Sequence, residues 1–130
     1  MRYVLILLLL LSAHVRAETR EYSQEYQRCI IKGENIDGKA ACVTREIGLQ
    51  KKRLNAVYGK LSVRLSETDR SFLDKVQHDW LTWRDGNYGF LSEHVAGEYV
   101  TTRRTSLDFL LNAVYDRADE LEVILTELGD

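Results

Sequence analysis

Proline is absent from the 130 residues of the chain, so no position interrupts a helix in the way that proline does. Cysteine and histidine are scarce, with two and three residues. Zinc centres need such side chains clustered at short spacing, yet His78 and His94 stand far apart. Gly-rich phosphate loops and the Gly-x-Ser-x-Gly motif are absent too. We therefore predict that the protein is not an enzyme and uses no cofactor or metal.

Apolar residues run without interruption only near the start of the chain, from Tyr3 to Leu11. Arg2 precedes this run, and a short segment that ends in the small residue Ala17 follows it. The run is too short to span a membrane, which takes about 20 residues. The pattern predicts a secretory signal peptide over residues 1–17, cleaved after Ala17, and one domain over 18–130. The location would be periplasmic or secreted, with no membrane span after cleavage.

The remainder of the chain is mildly acidic. Without the two arginines of the signal segment it has 16 basic and 20 acidic residues, a net charge of −4. Such a surface repels nucleic acid phosphates and anionic lipid head groups. The composition therefore argues against nucleic acid as a partner and suits a basic protein.

The two cysteines are Cys29 and Cys42. Their spacing does not fit a redox Cys-x-x-Cys pair, and exported proteins meet an oxidising compartment. We predict a disulfide bond between them, with two reduced buried thiols as the alternative. The bond would join the first predicted helix to the second.

Apolar residues recur at helical spacing, and no segment alternates like a strand for more than a few residues. We predict an all-α fold in which a short N-terminal helix precedes three long antiparallel helices that form a small bundle. Asp37 is expected to cap the second helix and Ser66 the third. Gly86 and Gly89 predict a bend, a break or close packing in the third helix. The first two helices are expected at about residues 22–31 and 39–64. The third would follow Ser66 to about residue 87, with a continuation through 91 as an option, and the fourth would begin at 99 or 102 and end at 128.

The third predicted helix contains a stretch that holds both tryptophans. Gln77, Trp80 and Arg84 share one face of this helix because they lie three and four residues apart. Arg84 can stack on Trp80, and a buried Gln77 amide needs partners, for which Asn55 and Tyr58 of the second helix are the natural candidates. We interpret the set as a structural lock between two helices rather than a ligand site. The predicted lock comprises Asn55, Tyr58, Gln77, Trp80, Arg84 and Asp85.

The sequence Leu-Asn-Ala-Val-Tyr occurs at residues 54–58 and again at 111–115. A repeat can indicate duplication. The residues around the two copies do not match well, so we favour similar packing faces on two helices.

The end of the last predicted helix is rich in acidic residues, with Arg117 as the single base. The simplest interpretation is a solvent-exposed polar face. The alternative is a docking surface for a basic protein, because opposite charges speed encounter. The candidate partner-binding residues are His94, Asp116, Asp119, Glu120 and Glu122.

Three elements occur in order along the chain: a Leu-Asn pair with a tyrosine three residues after Asn55, a Leu-Ser helix start at residues 65–66, and Gln-x-x-Trp-x-x-x-Arg-Asp over residues 77–85. Together they resemble the LprI-like lysozyme-inhibitor family of small secreted bacterial proteins. The resemblance covers about residues 29–107. Family members commonly have a cysteine three residues after the Arg-Asp pair, where this chain has Tyr88.

The resemblance implies a non-catalytic secreted or periplasmic protein that binds and inhibits a lysozyme. The partner would be a basic protein such as lysozyme, whose cleft holds two carboxylates. The segment from 87 to 97, with His94, and the turn at 32–39 are candidates for blocking that cleft. The alternative is a periplasmic structural or interaction module with a different partner.

Overall fold

The computed structural model describes residues 19–95, 97 and 99–129, so the predicted signal peptide lies outside the described residues. Within this part the chain is helical and contains no strand. The predicted all-α fold is confirmed. None of the described helices is long and apolar enough to cross a membrane. The helices are α1 (Gln24–Lys32), α2 (Ile36–Arg64), α3 (Glu67–Glu93) and α4 (Tyr99–Glu127).

Side-chain caps set where the helices begin. Ser66 caps α3 as predicted, and its Oγ accepts a hydrogen bond from the Asp69 amide at 3.1 Å. The cap predicted at Asp37 is wrong, because Asn35 accepts from the Gly38 amide at 2.8 Å and α2 begins at Ile36. Asparagine caps as well as aspartate, and Asn35 comes earlier in the chain.

The helices α2 and α4 run parallel to each other. Near their starts, Arg103 and Asp37 form an ion pair at 3.5 Å. Near their ends, the Arg64 guanidinium donates to the Gly129 carbonyl. The two helices make the main interface of the molecule, and the connection through α3 accounts for their shared direction.

The helix α3 runs antiparallel to α4. The ring centroids of Trp83, late in α3, and Phe109, early in α4, lie 5.6 Å apart. Gln77, earlier in α3, accepts a hydrogen bond from Arg117, later in α4. The up, down and up arrangement of the three long helices therefore agrees with the prediction.

The core lies between α2 and α4 in two clusters of buried apolar side chains. The first cluster contains Leu54, Val57, Leu61, Val114, Ala118 and Leu121. The second contains Ala40, Val43, Ile47, Leu107 and Leu111. No residue of α3 is buried. Its Leu73 and Trp80 are partly buried against the first cluster, and Tyr88 packs against the second.

Gly86 and Gly89 lie inside α3, which continues through both to Glu93. Apart from the nearby backbone of α3 itself, no heavy atom of the described residues comes within 4 Å of the position that a Cβ would take at either glycine. The expectation of a break or of close packing there is therefore wrong, and the bend stays a prediction.

The structure places Cys29 and Cys42 at disulfide distance, with Cα atoms 5.7 Å apart, in agreement with the prediction. Cys29 is in α1 and Cys42 is in α2. A bond that closes a loop of this size contributes about 3 kcal/mol by restricting the unfolded chain. It fixes α1 against the start of α2.

Candidate functional site

Five acidic residues in the second half of α4 lie around one open surface depression of about 810 Å³. We call the five carboxylates that line it the acidic depression: Asp116, Asp119, Glu120, Glu122 and Glu127. Four of them are predicted candidates, which the helical spacing brings together. The fifth candidate, His94, lies elsewhere, at the C-terminal cap of α3, where its ring stacks on Phe90 with centroids 6.4 Å apart.

Arginine side chains engage four of these carboxylates, and two arginines from outside α4 bind three of them. Arg20 binds both oxygens of Asp116, at 2.7 and 2.8 Å. Arg53 of α2 binds Glu122, at 2.8 and 2.5 Å, and also bonds to Asp119. The hydrogen bond to Glu122 raises the pKa of the Arg53 guanidinium. Ion pairs this exposed contribute little each to stability, so their main effect is to fix the carboxylates in place.

Glu120 and Glu127 are more available to a partner. Glu120 accepts one hydrogen bond from Arg117, at 2.9 Å, and keeps most of its side chain in solvent. Glu127 is exposed at the end of α4. Five carboxylates therefore meet three guanidinium groups around the depression, an excess of two negative charges.

The outer side of α3 carries exposed apolar side chains. We call Phe72, Val76, Trp83 and Phe90 the apolar ridge. Their spacing of four, seven and seven residues keeps them within about 40° on the helix surface. Phe72 is 70 % exposed, Trp83 52 % and Phe90 58 %. Monomeric proteins rarely leave such a line of aromatic side chains uncovered.

The apolar ridge and the acidic depression lie on adjoining helices. Trp83 contacts Phe109 of α4, and Arg117 of α4 connects Glu120 to Gln77 of α3. Sequence periodicity does not identify this surface, because Phe72, Val76 and Trp83 have the same helical spacing as residues that pack inward. The exposure of the ridge follows only from how α3 is placed.

Some of the contacts expected among the predicted lock residues are present, and others are not. The Arg84 guanidinium stacks over the Trp80 ring at 5.1 Å and pairs with Asp85 at 2.7 Å. The expected bonds from Gln77 to Asn55 and Tyr58 are wrong, because Gln77 accepts from Arg117 instead. The reason is that α3 lies against α4 and leaves an open space toward α2. Whether the set locks the helices stays a prediction.

That open space is a cleft of about 500 Å³ between α2 and α3. We call it the signature cleft, because four of the six predicted lock residues line it: Asn55, Tyr58, Gln77 and Arg84. The Tyr58 hydroxyl donates to Asp74 across the cleft, and burial together with this bond raises the pKa of Tyr58. Asn55 is exposed, and its side chain has no hydrogen bond to the described residues.

A buried carboxylate also lies outside both surfaces. Glu46 of α2 is 1 % exposed and accepts from the Ser23 amide, the Ser23 hydroxyl and the Gln50 amide, at 3.0, 2.5 and 2.8 Å. Glu46 lines a small cavity of about 160 Å³ beside the cysteine pair. Because three donors already satisfy its carboxylate, it is a structural group that ties the start of α1 to α2. The described residues contain no group of three or more metal-ligating side chains placed to hold an ion.

The family model described as lysozyme inhibitor LprI matches residues 29–121. This range contains both cysteines, all of α2 and α3, the signature cleft and the acidic depression as far as Glu120. No curated protein and no solved structure matches the chain significantly.

Proposed function

The chain belongs to the LprI family of lysozyme inhibitors, and we propose that it is an exported, non-catalytic protein that binds a lysozyme and inhibits it. The predicted signal peptide and the cysteine pair at disulfide distance both suit the periplasm or the extracellular space.

The observation that carries the proposal is the apolar ridge beside the acidic depression. Protein interfaces concentrate their affinity in a few aromatic anchors, which polar contacts surround. The ridge supplies three exposed aromatic rings on a rigid helix. The depression supplies negative charge, which steers a basic protein such as lysozyme toward that side of the molecule.

The candidate residues would have different roles at this surface. Glu120 and Glu127 can bind basic side chains directly, because their carboxylates are largely exposed. Asp116, Asp119 and Glu122 already bind arginines and would act through their field. His94 would extend the ridge, since its ring stacks on Phe90.

An interaction module with a partner other than lysozyme is the second candidate function. The same ridge and depression would suit any basic protein with an apolar patch. The two candidates therefore differ in the partner rather than in the surface.

A lysis assay separates them. The exported protein is added at stoichiometric ratios to c-, g- and i-type lysozymes acting on a peptidoglycan suspension. We expect slower clearing with at least one class, and less inhibition as salt is raised. Unchanged lysis with all three classes would refute the proposal. A pull-down from envelope extract that then recovers one partner other than a muramidase would support the second candidate.

A further inference from the structure

The two copies of Leu-Asn-Ala-Val-Tyr have the same inner contacts and different outer ones. The leucine and valine of each copy are buried in the core between α2 and α4. The asparagine and tyrosine of each copy lie one helical turn apart. The ring of Tyr58 packs against the first cluster and Tyr115 is 8 % exposed, but the hydroxyl group of each tyrosine hydrogen-bonds outside the core. What each polar pair contacts is therefore set by the neighbouring segment.

The second copy holds a non-helical segment of the chain. The Tyr115 hydroxyl accepts a hydrogen bond from the main-chain amide of Glu21 at 2.9 Å, and the Tyr22 hydroxyl donates to Asn112 Oδ1 at 2.5 Å. Asp116, the residue after this copy, pairs with Arg20 of the same segment. The motif and its next residue thus bind one main-chain group, one polar side chain and one charge.

The asparagine and tyrosine of the first copy border an open cleft instead of a segment of the chain. Asn55 and Tyr58 line the signature cleft, and the Asn55 amide has no partner among the described residues. The Tyr58 hydroxyl donates its proton to Asp74. Its oxygen keeps the capacity to accept from a main-chain amide, as the Tyr115 oxygen does.

The charge at the cleft differs from that of the second copy. Gly59 stands where the second copy is followed by Asp116. The charged residues that line the cleft are Lys51, Asp74 and Arg84. Asp74 accepts from Tyr58 and Arg84 pairs with Asp85, whereas Lys51 has no ion pair to the described residues. A segment that binds here should therefore carry a carboxylate where the segment on α4 carries Arg20.

We propose that the signature cleft binds an extended, acidic segment of another protein. Asn55 and Tyr58 hydrogen-bond to the segment, the Tyr58 oxygen accepting from its main chain, and Lys51 pairs with its carboxylate. The site is separate from the proposed lysozyme surface, because it lies on the α2 side of α3. It does not depend on lysozyme being a partner.

Selection from a library of linear dodecapeptides displayed on phage, with the exported protein immobilised, tests the proposal. We expect enriched peptides to be rich in aspartate and glutamate. Their affinity, measured by fluorescence polarisation, should fall about tenfold in Asn55→Ala, which loses a hydrogen bond to the segment. It should fall at least as much in Lys51→Glu, which replaces an attraction by a repulsion.

Lys60→Ala is the matched control, because Lys60 is exposed on α2 and does not line the cleft. Asn55→Ala removes no bond to the described residues, so its far-UV circular dichroism melting curve should match the wild type. Recovery of no peptide, of basic peptides, or of peptides that bind Asn55→Ala as tightly as the wild type would overturn the proposal.

Discussion

Arg117 donates a hydrogen bond from Nε to Oε1 of Gln77 at 2.9 Å, and this bond joins α4 to α3. The Arg117 side chain is only 10 % exposed, and its other bond is to Glu120 on the same helix. The tryptophan-containing stretch of α3 is therefore attached to α4. The side of α3 that faces α2 is left free to line a cleft.

A double-mutant cycle can measure this attachment. We expect Gln77→Ala and Arg117→Ala to show a coupling energy of about 1 kcal/mol in urea unfolding, because the two side chains share one partly buried hydrogen bond. The cycle between Gln77→Ala and Asn55→Ala is the control, and its coupling should be near zero. A strong coupling energy between Asn55 and Gln77 would instead support the predicted contact between α2 and α3.

Helical spacing and capping residues predict much of the fold. The apolar period gives four helices, the lack of proline lets them run long, and Ser66 marks the start of α3. The period does not show which neighbour a helix meets. Leu73 and Trp80 define the inner face of α3, yet nothing local tells that this face contacts α4 rather than α2.

The local sequence also gives a wrong impression of how exposed the polar residues of α2 are. Glu46, Gln50 and Arg53 resemble a solvent-exposed stripe, but Glu46 and Gln50 are buried and Arg53 is partly buried. Their partners, such as Ser23 before α1 and Glu122 in α4, are distant in the sequence. A buried polar group is recognisable only when its partner is known, which explains why this network and the signature cleft could not be predicted.

The acidic depression should speed association with a basic lysozyme. We expect Glu127→Lys to lower the association rate constant about three- to tenfold at low salt, with the difference lost at high salt. A lysine in the last turn of α4 also suits the helix dipole, so stability should not fall. Surface plasmon resonance measures the rates.

The matched control is Glu25→Lys, which changes the net charge equally on an exposed residue of α1 that does not line the acidic depression. Its rate constant should remain near the wild-type value at every salt concentration. Equal slowing by both variants would show that only the total charge matters, and would place the binding surface away from α4.

The apolar ridge should supply most of the affinity for lysozyme. We expect Phe72→Ser to raise the Kd at least about tenfold in isothermal titration calorimetry, because aromatic anchors dominate interfaces. The free energy of unfolding should change by no more than about 0.5 kcal/mol, since the ring is largely exposed. Ile31→Ser, on the exposed side of α1, is the control and should bind as the wild type does. An unchanged Kd in Phe72→Ser would exclude this end of the ridge from the interface.

Alkaline pH should weaken the attachment of the N-terminal segment through Tyr22. Burial, the main cause, raises the pKa of this phenol above its ordinary value, so the folded state retains a proton that the unfolded chain releases above about pH 10. Its contribution to stability is therefore complete below about pH 10 and declines as the pH rises further. Tyr22→Phe loses the bond to Asn112 and should be less stable by about 1 kcal/mol near pH 8. That deficit should narrow toward about pH 11, because the variant has no phenol to ionise at this position.

Urea unfolding followed by circular dichroism gives the free energy of unfolding of both proteins at about pH 8 and about pH 11. An equal difference between wild type and variant at the two pH values would contradict the role given to Tyr22.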